Sequence, residues 1–348
     1  MREPITICNT SVNAGERQTL ELPVPSLYTH TDIELPVHVI HGKRNGPTLF
    51  LSAAIHGDEI NGVEIIRRVL KNKSIGKLKG TLMAIPVVNI YGFIDQTRYL
   101  PDRRDLNRSF PGSEKGSMAG RMAHLFLNEI VSKCTHGIDL HTGAIHRENL
   151  PHVRAVLDDD QTEQMARAFT SPVILNTSIV EGSLREAAEK LGTSVIVYEA
   201  GEALRFDEVS IRAGVRGIIS VMRSLEMLPA LKNKRRLAEP ILARSSLWVR
   251  APKSGILRVL KPLGSRVELN ELLGFVSDPF GEVEEEILSP IDGIIIGRLN
   301  LPLVNEGEAL FHIAKFRSAE SVADKVEQFQ QIMDPLTDTN SPDEPPIM

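Results

Sequence analysis

Two rhythms of apolar and polar positions divide this chain. From Thr48 onward, short unbroken apolar runs alternate with stretches whose apolar positions recur every three or four residues. That alternation predicts βαβ units around a mixed, mainly parallel sheet sandwiched by helices. The runs Thr48–Ile55, Thr81–Val88, Gly137–Leu140, Val153–Leu157, Pro172–Leu175 and Ser194–Tyr198 read as strands, and their continuity predicts cover on both faces. Asn61–Lys71, Met118–Ser132, Asp160–Ala168, Ser183–Leu191 and Phe206–Leu225 read as the helices between them. In the first of these, Val63, Ile66, Val69 and Leu70 fall on one stripe. Upstream, residues 1 to about 45 carry short runs broken by Pro23, Pro25 and Pro36, an expected edge hairpin.

After residue 230 the helical period disappears. Residues 231–240 are basic and polar and read as a linker, which makes 1–230 one expected domain. Residues 245–316 are punctuated by glycine, rich in β-formers and faintly repetitive. The stretch from Lys253 to Phe275 parallels that from Ile291 to Phe311, each opening on a Gly-apolar-apolar step. Two such halves resemble the flattened barrel of biotinyl/lipoyl carriers, an all-β barrel-sandwich. Those carriers place a modifiable lysine between the halves, and here the segment VSDPFGEVEEEI has none. A barrel without an attached cofactor is expected. Residues 317–348 read as one short amphipathic helix and a polar, proline-rich, disordered tail.

Charge and cysteine usage narrow the function. A formal charge of −5 offers no footprint for nucleic acid. The two cysteines, Cys8 and Cys134, are far apart and make neither a disulfide framework nor a thiolate metal site. The first residues lack a signal peptide's apolar stretch, and nowhere do the roughly 18 apolar residues of a membrane span occur. A cytoplasmic protein without membrane partners is expected; its oligomeric state is left open, a homo-oligomer included.

Four segments carry the polar side chains that could do chemistry. Ile55-His56-Gly57-Asp58-Glu59 follows an apolar strand, where ligands of open α/β sheets gather. Ile138-Asp139-Leu140-His141-Thr142-Gly143 ends another. Two imidazoles and a carboxylate, His56, His141 and Glu59, with a fourth position left for water, suit one catalytic zinc ion. Asp139 either orients an imidazole or tightens the turn. In the third segment, Arg103 to Gly112, the arginines can grip a carboxylate and Asn107 can add a donor. In the fourth, Val195-Ile196-Val197-Tyr198-Glu199-Ala200-Gly201-Glu202, a desolvated carboxylate at a strand end suits a general base. Glu199 follows the apolar run directly, whereas Glu202 lies farther out and reads as solvated.

HGDE, DLNRSFPG, DLHTG and VYEAGE, in this order at strand ends, resemble the succinylglutamate desuccinylase/aspartoacylase family of carboxypeptidase-A-like zinc hydrolases. The likeness spans roughly residues 45–225. It implies that His56, Glu59 and His141 hold zinc, that Asn107 and Arg108 bind a substrate carboxylate, and that Glu199 shuttles the proton. It also implies an upstream arginine that polarises the scissile carbonyl; Arg98 and Arg103 compete for that role. Arg147 and Arg154 are the candidates for an acyl-group carboxylate. The implied activity is deacylation of a small N-acyl amino acid by a zinc-dependent amidohydrolase. A zinc metallocarboxypeptidase acting on short peptides is the nearest rival. A non-catalytic binding protein is disfavoured by the intact motifs, and a serine hydrolase by the lack of a GxSxG elbow.

Overall fold

In the computed structural model, the described residues are 2–230, 240–316 and 320–333. The expected linker, but for Pro240, and the tail beyond Met333 lie outside them. A hairpin of β1 (Ile5–Ile7) and β2 (Thr10–Val12) precedes the main sheet. β3 (Arg17–Val24) and β4 (Ile33–His41) pair antiparallel at the edge of that sheet, where the proline-broken segment is expected.

The centre of the sheet is built from β5 (Arg44–Ala53), β6 (Lys79–Ile85), β7 (His136–Gly143), β8 (Arg147–Ala155), β9 (Val173–Asn176) and β10 (Ser194–Glu202). β6, β5, β7 and β10 run parallel to one another, while β4 beside β6 and β8 beside β10 run antiparallel. β5 explains the unbroken apolar runs. Its Leu49, Leu51 and Ala53 enter one core with helices on that face, while Phe50 enters the other. With both faces covered, successive residues are all buried, so no polar alternation survives.

The helices are α1 (Asn61–Lys71), α2 (Ile90–Asp95), α3 (Met118–Glu129), α4 (Asp160–Ala168), α5 (Leu184–Lys190) and α6 (Glu208–Ser224). α1, α4 and α6 supply the first core, and α3 and α5 the second. Their starts follow local chemistry: Ser117, Asp159, Ser183 and Asp207 each accept a backbone N–H in the first turn. α1 keeps the expected bounds and buries Ile65, Ile66 and Val69. Each such side chain contributes about 1.5–3 kcal/mol. α7 (Glu320–Met333) packs Val326, Phe329 and Met333 back against the body of the protein.

The C-terminal strands are β11 (Ile241–Ala243), β12 (Ser245–Arg250), β13 (Gly255–Val259), β14 (Arg266–Val267), β15 (Leu272–Ser277), β16 (Glu284–Leu288), β17 (Gly293–Leu299), β18 (Leu303–Val304) and β19 (Ala309–Lys315). The repeat has a structural counterpart. β13 pairs with β15 and β17 with β19, while β14 of the first half crosses to β17 and β18 of the second to β13. β17 also pairs antiparallel with β8, so the sheet runs on without a break from β3 to β12. Among the described residues, no helix is long and apolar enough to cross a membrane.

Two histidines sit where β8 meets the C-terminal strands. Burial pushes His152 down to about 4 and His312 down to about 3. Both fall below the unfolded value of about 6.5, so the unfolded chain takes up protons first as pH drops. The stability these two histidines contribute is therefore full above pH 6.5 and declines as pH falls toward 4, by on the order of 3 kcal/mol from His152 alone. Melting temperatures between pH 7 and 4 check this; a His152→Phe variant whose melting temperature drops as steeply would refute it.

Candidate active site

His56 and Glu59 sit in the turn after β5, and His141 and Glu199 lie within β7 and β10 rather than beyond them. The parallel register pairs Glu199 directly with His141. Residues on adjacent strands at one register point to the same face, so sheet geometry alone brings these two side by side. The HGDE turn is fixed from outside: a Cβ on Gly57 would lie 1.9 Å from the carbonyl carbon of Gly92, at the start of α2. Only a residue without a side chain lets that turn pack there.

His56, Glu59 and His141 are all buried, and their candidate ligand atoms lie within 4.8 Å of one another. Nδ1 of His56 is 2.7 Å from Glu59 Oε1, and Nδ1 of His141 is 2.7 Å from Oε2. The far nitrogens are engaged elsewhere. Nε2 of His56 lies 3.1 Å from Asp105 Oδ1, and Nε2 of His141 lies 2.7 Å from Asp139 Oδ2. Ser52 donates to the other oxygen of Asp139. Of the two readings for Asp139, orientation of an imidazole is the one the contacts match. Both imidazoles thus turn Nδ1 toward one point, with carboxylates behind them, as metal-binding histidines do.

Charge follows from this packing. Burial opposes protonation of His141, but the Asp139 and Glu59 carboxylates outweigh it and raise it well above an ordinary histidine. His56 is raised likewise, against burial, by Glu59 and Asp105. Glu59 is held well below the usual range: burial would raise it, and the two imidazoles override that. The group fits a divalent cation, whose binding would expel the imidazole protons and take over their attraction to Glu59.

Beside it opens a cavity of about 250 Å³. Arg98, Asn107, Arg108 and Glu199 all line it. Arg98 donates to Asp105 at 2.9 Å and to Glu59 at 3.2 Å. The unforeseen α2 holds it: Asn89 caps that helix through Gly92 N–H and donates to the carbonyl of Arg98. Arg103 is exposed on a turn with φ 62° and does not line the cavity; of the two competing arginines, Arg98 is the one that does. Asn107 accepts the backbone N–H of Leu184 through Oδ1 at 2.9 Å, which leaves its NH₂ group to face an anion. Glu199 accepts from Arg154 and Asn149, each at 3.2 Å.

Four further features escape the sequence. Asp105 joins His56 to Arg98, a role its place in DLNR only hints at. Arg185 on α5 reaches the cavity wall; it is buried, and burial first, then the charge of Arg154, lowers it to about 10. Trp248 of β12 lines the cavity from the C-terminal side, stacked on His312 at 4.5 Å and under the Arg147 guanidinium at 5.7 Å. Glu202, expected to be solvated, is instead mostly covered: it accepts from His146 N–H and from Asn300, tying the β7–β8 connection to the C-terminal strands.

Comparison with known proteins points one way. The model of the succinylglutamate desuccinylase/aspartoacylase catalytic domain matches residues 45–225, more than half of the chain. The chain is 25% identical over 295 residues to N-alpha-acetyl-L-2,4-diaminobutyric acid deacetylase of Halomonas elongata, covering 81% of this chain and 86% of the relative. Among solved structures, the succinylglutamate desuccinylase/aspartoacylase from Rhodobacter sphaeroides superposes with a TM-score of 0.77 at 23% identity, covering 86% and 96% of the two chains. The product-bound ectoine utilization protein EutE from Ruegeria pomeroyi gives 0.78 at 24% identity, covering 90% and 99%. At these identities the structural likeness establishes the fold.

Proposed function

We propose, from the premise that this chain belongs to the succinylglutamate desuccinylase/aspartoacylase family, that it is a zinc-dependent deacylase of small, anionic N-acyl amino acids. Hydrolysis of a non-peptide amide is the family's chemistry; the metal, the residue roles and the substrate's charge are proposed. The supporting observation is the meeting of His56, Glu59 and His141 beside a small cavity that also holds Glu199.

His56, Glu59 and His141 would hold the ion through the two Nδ1 atoms and the carboxylate. Zinc, when bound, supplies a Lewis acid and acidifies water. Asn107 and Arg108 grip the free carboxylate of the amino acid and bring its amide to the metal-side wall. Arg98 faces the carbonyl oxygen and steadies the negative charge that develops on it. Glu199 takes a proton from the attacking water and delivers it to the departing nitrogen. Trp248 lines the cavity on the side of the C-terminal strands. The cavity is below the roughly 300–1,000 Å³ of drug-sized pockets, which disfavours the carboxypeptidase alternative.

Charge in the cavity selects the substrate. Its lining carboxylates are engaged: Glu59 by both histidines and Arg98, Asp139 by His141 and Ser52, Glu199 by Arg154 and Asn149. Arg108, Arg147 and Arg185 line the same space and show no carboxylate partner among the described residues. A substrate bearing a second carboxylate satisfies them, on its acyl group or its side chain. The ammonium group of a diaminobutyrate derivative would find no free counter-charge. With zinc-loaded protein, N-succinyl-L-glutamate and N-acetyl-L-aspartate are expected to exceed N-acetyl-L-2,4-diaminobutyrate in kcat/KM by about 10–100-fold, the worth of one or two charge-assisted hydrogen bonds. Faster cleavage of blocked dipeptides, or a preference for the cationic substrate, would overturn this.

A further inference from the structure

We infer that Asn149, set in place by strand β17, is a positioning residue for Glu199. With Glu199 read as the base, as above, the C-terminal strands then take part in the chemistry as well as covering it.

Each oxygen of the Glu199 carboxylate has one side-chain donor, Arg154 Nη1 on Oε1 and Asn149 Nδ2 on Oε2, both at 3.2 Å. Two donors at opposite ends fix the plane of a carboxylate, and that plane decides which lone pair meets the water. Arg154 belongs to the part of β8 that runs between β10 and β9. Asn149 lies farther out, in the part that β17 continues: its backbone partner there is Gly297.

Gly297 is what makes the carboxamide's position possible. A Cβ there would stand 2.9 Å from Asn149 Oδ1 and 3.2 Å from the Cβ of His312. Its φ is outside the left-handed region, so the need for glycine is one of space and not of backbone freedom. His312 cannot give way easily. Its Nε2 is bonded to Ser246 at 2.8 Å and its ring is stacked on Trp248. A row of contacts therefore crosses β12, β19, β17, β8 and β10, from Trp248 through His312, Gly297 and Asn149 to Glu199. Within it, the empty Cβ position of Gly297 seats the Asn149 oxygen and leaves its NH₂ group aimed at the base.

Asn149→Ala and Gly297→Ala, singly and together, test this in the full zinc-loaded chain with N-succinyl-L-glutamate and N-acetyl-L-aspartate as probes. Asn149→Ala is expected to lower kcat about 10–100-fold, the scale of a misplaced catalytic group, with KM within about twofold and metal content unchanged. Gly297→Ala should lower kcat in the same way, yet add less than about twofold in the Asn149→Ala background, because its effect passes through the carboxamide. A raised KM at unchanged kcat would mean that Asn149 touches substrate, and independent effects in the double variant would mean that Gly297 serves only the fold. Either overturns the inference. If Asn149→Ala is as fast as the parent while Glu199→Gln is dead, positioning fails and the base stands. If Glu199→Gln is active, or the parent cleaves neither probe, the reading beneath fails and takes the inference with it.

Discussion

Replacing His141 with alanine is expected to remove the metal and, with it, turnover. His141 supplies one of the two imidazole Nδ1 atoms that face Glu59, and its other nitrogen is locked to Asp139 at 2.7 Å. Without it a tetrahedral cation keeps one imidazole and one carboxylate, too few donors to compete with water. The loss of several kcal/mol of charge stabilisation corresponds to a fall on the order of 10⁴-fold in kcat/KM. The alanine variant also leaves the buried carboxylates of Asp139 and Glu59 without the imidazole between them, which lowers stability. His141→Gln separates the two effects, because its amide restores a donor between the carboxylates without restoring Nδ1. Both variants should carry well under one metal ion per chain by elemental analysis, and the glutamine variant should melt closer to the parent. A variant that retains a full complement of metal and its activity would exclude His141 as a ligand.

The fold was legible where side-chain rhythm is local. β5, β6 and β9 announce themselves because strands covered on both faces keep long apolar runs, α1 and α4 because stripe and length agree, whereas β8 begins at Arg147, six residues before the expected Val153, in a polar stretch that hides it. Strand ends were less legible: β10 runs on to Glu202 across a bulge, in residues whose polarity suggests a loop. α2 escaped altogether. Six residues are too few for a periodic signal, and its start depends on one capping side chain, Asn89. That omission is why Arg98 and Arg103 could not be separated from sequence, since α2 and Asn89 hold one in the cavity while the other turns out to solvent. The pairing of β17 with β8 was hidden for another reason. It is made of backbone hydrogen bonds, which any residue can offer, so no side chain between residues 293 and 299 betrays it. Trp248, Asn149 and Glu202 take their place from that pairing; nothing in the sequence singles out the first two, and Glu202 reads as solvated.

Glu199→Gln tests the other half of the chemistry. Glu199 is buried, lies beside His141 in register, and is not among the residues that could hold the cation. Glutamine has the same shape and can still accept from Arg154 or Asn149, so packing and metal content should survive. What it cannot do is accept a proton from water and return it to a leaving nitrogen. General acid–base catalysis of this kind is worth about 10²–10⁴ in rate, and kcat should fall within that range while KM, which reflects the carboxylate grip of Asn107 and Arg108, changes little. The pair of variants then divides the site by measurement: the His141 change removes metal and rate together, and the Glu199 change removes rate alone. Undiminished kcat in a metal-replete Glu199→Gln protein would transfer the proton to some other group. Among the carboxylates that line the cavity, that leaves Glu59 and Asp139, each already held by a histidine.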